Sequence, residues 1–101
     1  VDSRIIGKYV RATLWGKSAS GITEIWVITG SGDVVLGHVK WYAPWRMYCF
    51  LPERGYDTVF SPDCLDSIST FARDLTKAHV FKRIGALTRV DIAKRKRKKR
   101  R

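Results

Sequence analysis

Cysteine, proline and acidic side chains are scarce in this chain, and no apolar run is long. Two cysteines, Cys49 and Cys64, are too few for a disulfide scaffold and point to a reducing compartment. No stretch reaches the ~18 apolar residues that a membrane-spanning helix needs. The N-terminus lacks the apolar core of a secretion signal, and it begins at Val1 rather than Met, which reads as a processed or trimmed end. A nucleophile elbow, a phosphate-cradling glycine loop and paired-carboxylate spacing are all missing. His38, Cys49, Cys64 and His79 are numerous enough to hold zinc, but no CxxC or HxxxH pair brings any two of them close. Asp57, Asp63, Asp66, Asp74 and Asp91 form no nuclease motif. No metal and no cofactor is therefore expected. An enzyme is the third-ranked reading, in the form of a metal-dependent nuclease whose carboxylates meet only in space.

What is present is positive charge, unevenly placed. Lysine and arginine number 20 against 9 acids, a net of +11 over 101 residues. Eight of these bases are consecutive: Lys94, Arg95, Lys96, Arg97, Lys98, Lys99, Arg100 and Arg101. The remainder carries 12 bases against 9 acids, only +3. Hydrophobic residues make up 45% of the chain, which excludes a wholly disordered composition. The expected organisation is one α+β domain over residues 1–93, followed by a polybasic tail over 94–101 that is disordered unless bound.

Periodicity supplies the elements. Strands are expected at Lys8–Trp15, Ile22–Thr29, Val34–Tyr42, Trp45–Leu51 and Tyr56–Phe60. In the first, Tyr9, Arg11, Thr13 and Trp15 alternate with Val10, Ala12 and Leu14. Gly30-Ser31-Gly32-Asp33 supplies a hairpin turn. Pro44 marks an edge, bulge or corner, because it lacks a ladder donor. Ser61 can cap a helix, with Pro62 at its first position and Asp63 at the positive end of the dipole. Leu65, Ile68, Phe71, Ala72 and Leu75 then form one apolar stripe. This helix is expected to stop between His79 and Arg83, before Gly85, with Leu87, Val90 and Ile92 in a short second helix or strap. The predicted fold is a small antiparallel sheet of about five strands packed against one helix.

The segment Trp41-Tyr42-Ala43-Pro44-Trp45-Arg46-Met47-Tyr48-Cys49-Phe50 concentrates aromatic residues. In the favoured reading its rings fill the core between sheet and helix. In the second, some stand on an open face as a stacking platform, with cations holding phosphates beside them. Alternation suggests Lys40, Tyr42, Arg46 and Tyr48 for that face, provided Pro44 leaves the register unchanged. Exposed Trp, Tyr and Arg are also favoured at protein hot spots, a third and lesser reading.

Leu36–Phe50, with Thr58-Val59-Phe60 and Cys64-Leu65 downstream, resembles a group of small, mostly uncharacterised proteins encoded by bacteriophages and prophages. Their shared core is W-Y-x-P-W-R-x-Y-x-F. The resemblance covers about forty residues, from Leu36 to about Leu75, brings no activity with it and does not include the basic tail.

The leading expectation is a non-enzymatic accessory protein that binds DNA or RNA. Lys94–Arg101 would contact phosphates without reading bases. A structural or protein-interaction module, such as a small virion component or a partner of an acidic protein, is second. Lys82-Arg83 with Lys94 onward also fits a bipartite nuclear address, should the host be eukaryotic, and an anionic lipid surface is a minor alternative. Otherwise the location is cytoplasmic, nucleoid-associated or in a virion.

Overall fold

The computed structural model describes residues 2–55 and 58–99, with side chains described up to Lys82. Five strands form one antiparallel sheet: β1 (Ser3–Gly7), β2 (Val10–Lys17), β3 (Glu24–Thr29), β4 (Val35–Tyr42) and β5 (Met47–Pro52). They are ordered β1-β2-β3-β4-β5, each paired with its neighbour in sequence. One helix, α1 (Pro62–Lys99), follows. This is the expected α+β arrangement, and the strand order that periodicity leaves open is a simple meander.

Alternation decides which side chains meet the helix. Val10 and Ala12 of β2, Trp26 and Ile28 of β3, Leu36 and Val39 of β4 and Tyr48 of β5 are buried with Ile68, Phe71, Ala72 and Leu75 of α1. Trp26 is completely enclosed. Its ring meets Phe71 edge-on at 5.2 Å, while the Arg4 guanidinium lies 4.7 Å from its centroid. Its indole N–H has no acceptor among the described residues. Each large helix side chain buried here is worth about 1.5–3 kcal/mol, so the Ile68–Leu75 stripe is what holds α1 to the sheet.

The start of α1 follows its sequence signals. The Cys64 N–H donates to Ser61 Oγ at 3.1 Å, and the Leu65 N–H donates to the Ser61 carbonyl at 3.0 Å. Its end does not. The helix runs through Gly85 to Lys99 instead of stopping between His79 and Arg83, so no separate element contains Leu87–Ile92. A helical glycine costs only about 1 kcal/mol relative to alanine, and the residues after it are mostly good helix formers with no proline. The backbone of residues 94–99 is the last part of this helix. Cations at a helix C-terminus complement its dipole, which offsets part of their mutual repulsion. Arg100 and Arg101 lie outside the described residues.

Two strand expectations are corrected. β1 is an element that periodicity missed, since the two-residue connection Lys8-Tyr9 carries no glycine or asparagine to announce a hairpin. Conversely, Thr58–Phe60 is irregular, and Val59 is 94% exposed; Tyr56 and Asp57 lie outside the described residues. The reason is visible at the edge of β5. The Tyr48 N–H donates to Thr76 Oγ1 at 3.0 Å, so the helix takes up an edge donor that a sixth strand would need. Phe60 packs edge-on against Phe50 at 5.7 Å instead.

Two glycines permit close approach. A Cβ at Gly7 would strike the Ser67 side chain of α1. At Gly37, where φ is +158°, it would strike the Leu51 carbonyl and come within 2.8 Å of the Phe50 ring. Gly16 has open space around it. Gly37→Ala should therefore lower the unfolding free energy by about 1–3 kcal/mol, whereas Gly16→Ala should change it by about 0.5 kcal/mol or less. Urea denaturation of the two variants measures the contrast.

Candidate functional site

The helix covers one face of the sheet, and the residues between those of the core face the other way. Ser3 and Ile5, Arg11 and Thr13, Ile25 and Val27, His38 and Lys40, Cys49 and Leu51 occupy aligned positions across the five strands. A 3.2 Å contact between the Ser3 and Thr13 hydroxyls fixes the outward direction at β1 and β2. The bulge between Leu14 and Gly16 leaves Trp15 on this side, 71% exposed. Trp15, Ile25, His38, Lys40 and Leu51 surround a shallow hollow of about 220 Å³. No strand position on this open face carries a carboxylate. At its margin Glu53 Oε2 lies 4.0 Å from His38 Nδ1.

The aromatic segment divides between the two faces. Ala43–Trp45 forms a short 3-10 turn, and Arg46 adopts a left-handed conformation with φ 52° and ψ 46°. The Arg46 N–H donates to the Ala43 carbonyl at 3.1 Å, closing a four-residue loop between paired Tyr42 and Met47. Trp41 therefore pairs with Tyr48, and Tyr42 with Met47. Lys40 and Tyr42 share the open face, but Tyr48 does not join them. It is 6% exposed and points into the core. The four-residue length of the loop shifts the faces by one relative to unbroken alternation, which moves Tyr48 to the helix side and Met47 to the open one. Arg46 is exposed at the corner, beside the edge-on pair of Tyr42 and Trp45 at 5.0 Å.

Tyr48 has a structural task. Its ring meets Trp41 edge-on at 5.5 Å, and its hydroxyl oxygen accepts the Glu24 N–H at 3.1 Å. Trp41 also lies 4.6 Å from the His79 ring. Desolvation raises the Tyr48 pKa above its ordinary value, against the lowering effect of the Glu24 N–H. Burial likewise raises the thiol pKa of Cys49 and of Cys64, a direction that disfavours the reactive thiolate.

The titratable groups considered for metal do not converge. His38 and Cys49 are on the open face, whereas His79 lies tilted against Trp41 on the helix side and Cys64 lies near the start of α1. Among the described residues, no group of three or more His, Cys, Asp or Glu side chains is arranged to hold a metal ion. No described helix is long and apolar enough to cross a membrane. Of the basic run, the helical backbone of Lys94–Lys99 is described and the side chains are not.

Comparison with known proteins gives a phage connection. The chain is 33% identical over 52 residues to an uncharacterized 9.3 kDa protein of Acholeplasma phage L2. That match spans 52% of this chain and 64% of the phage protein. It marks a distant, uncharacterised phage homologue. No protein-family model matches the chain, and no solved structure matches it.

Sequence reasoning overlooked Trp15, Arg11 and His38 as members of one surface. The alternation of Arg11, Thr13 and Trp15 against Val10, Ala12 and Leu14 contains the signal for the first two, but the strand pairing that joins them to His38 is not written in any one segment. Because Tyr48 is held neutral in the folded chain, the stability it contributes is fully present below pH ~10, the ordinary tyrosine pKa. It is lost as pH rises through the higher folded value. Tyr48→Phe should cost about 0.5–1.5 kcal/mol at neutral pH through its lost hydrogen bond and should flatten the fall in stability on the alkaline side. Thermal unfolding between pH 8 and 11 checks both.

Proposed function

We propose that this is a phage-related, non-enzymatic accessory protein that binds nucleic acid through its open sheet face and its C-terminal basic run. The observation that carries the reading is the composition of that face. Arg11 and Lys40 stand exposed on it with Trp15 and Tyr42, and its strand positions hold no carboxylate. Aromatic faces stack bases with little regard for sequence, and neighbouring cations neutralise phosphates. Arg46 sits within the same corner as Tyr42. Lys94–Arg101 adds eight positive charges to the same chain. Such a run supplies affinity by counterion release and carries no sequence information of its own. In this reading the phage and prophage proteins with the W-Y-x-P-W-R-x-Y-x-F core are relatives that share the β4–β5 corner, with Trp41 and Tyr48 buried for folding and Tyr42 and Arg46 left outside.

A protein-interaction role is the second reading, favoured by a mostly apolar groove of about 730 Å³ between β5 and α1, with Phe50, Leu65 and Ile68 in its wall and Arg73 and Lys77 on the helix side.

Titration of labelled DNA and RNA against the full chain at several salt concentrations tests the proposal. Binding should weaken steeply with salt. Removal of residues 94–101 should weaken it at least about tenfold at low salt and flatten the dependence of log K on log salt by several units. Absence of binding by the full chain at low salt would overturn the reading.

A further inference from the structure

We infer that the hollow beside Trp15 receives one unpaired base, making single-stranded nucleic acid the preferred ligand of the open sheet face. This rests on the nucleic-acid reading above and narrows it to a substrate class and a site. The hollow is bounded by the Trp15 ring, by Ile25 and Leu51, and by His38 and Lys40. About 220 Å³ lies below the ~300–1,000 Å³ of sites that engulf a whole small molecule. It suits one planar ring rather than a nucleotide with its sugar and phosphate.

The walls have distinct uses. Trp15 offers a stacking surface, and its exposure means that it is not consumed by the core. Ile25 and Leu51 give the hollow an apolar lining. Lys40 is exposed one strand position from Trp41 and directly across from Ile25, close enough to the hollow to meet the phosphate of the nucleotide whose base enters it. His38 offers ring nitrogens at the side, one of them 4.0 Å from Glu53. Charge complementarity selects the occupant: an apolar ligand would not need Lys40, and an anion without a ring would not need Trp15. A duplex keeps its bases stacked and paired inside, so it can present phosphates to this face but no ring to the hollow. Duplex binding then falls to the terminal basic run, which meets phosphates of either form alike.

The test uses the full chain, with single-stranded oligo-dT and a mixed-sequence duplex of equal length as probes, read by fluorescence anisotropy at fixed salt. Wild type should bind the single strand at least about tenfold more tightly than the duplex, the scale of one base stacked on an aromatic side chain. Trp15→Ala should remove most of that preference while leaving duplex affinity unchanged, and Trp15→Phe should restore most of it. Lys40→Ala should weaken the single strand more than the duplex. Unchanged thermal unfolding in the Trp15 variants would show that the fold is intact. Equal wild-type affinity for both probes, or loss of both together in Trp15→Ala, would overturn the inference while leaving nucleic-acid binding in place. No binding to either probe at low salt would remove the functional reading itself, and the base site with it.

Discussion

Packing of one helical stripe against one side of a five-stranded sheet is the constraint on which the rest of the molecule depends. Ile68, Phe71, Ala72 and Leu75 close over Trp26, Ile28 and Val39, and the chain has no second stripe among its described residues to close the opposite side. Away from the irregularities at Ile5/Gly7, Leu14/Gly16 and Ile28/Thr29, period-two alternation turns the side chains adjacent to core strand residues outward, whatever their chemistry. Burial of one face and exposure of Trp15, Lys40 and Tyr42 on the other are therefore a single consequence of register.

The β4–β5 corner shows how sharply that register is set. A four-residue loop with Arg46 in the left-handed region turns the chain between Tyr42 and Met47. One residue more or less would exchange Tyr48 with Met47 and put a phenol on the open face. As built, Tyr48 ties three elements together: its hydroxyl to β3, its amide to α1 and its ring to Trp41. Gly37 keeps the neighbouring position clear for Phe50. The concentration of rings in Trp41–Phe50 serves packing and surface at once, divided by alternation rather than by segment.

Much of this was legible in the residues. Val10, Ala12 and Leu14 against Arg11 and Thr13, the Ser61-Pro62-Asp63 start and the Ile68–Leu75 stripe each obey a local rule, and the structure follows them. What failed depended on tertiary context. Gly85 looked like a stop, yet its cost is small beside the helix-forming residues that follow it. Residues 58–60 looked like part of a strand, yet α1 occupies an edge donor on β5. Tyr48 looked like a partner for Tyr42, yet the loop at Pro44 shifted it by one position. Trp15 was visible as an outward residue, but only the pairing of β2 with β3 and of β3 with β4 brings it next to Ile25 and Lys40. A site assembled from four strands has no signature in any one of them.

The distant phage homologue leaves activity open, so the functional account stands on the open face. Photo-cross-linking gives the most direct measurement: an oligonucleotide carrying 5-iodouracil is irradiated with the full chain, and the linked peptides are located by mass spectrometry. The account predicts adducts at Trp15, with Tyr42 as the secondary position. Adducts confined to the groove between β5 and α1, or to residues 94–101 alone, would contradict it.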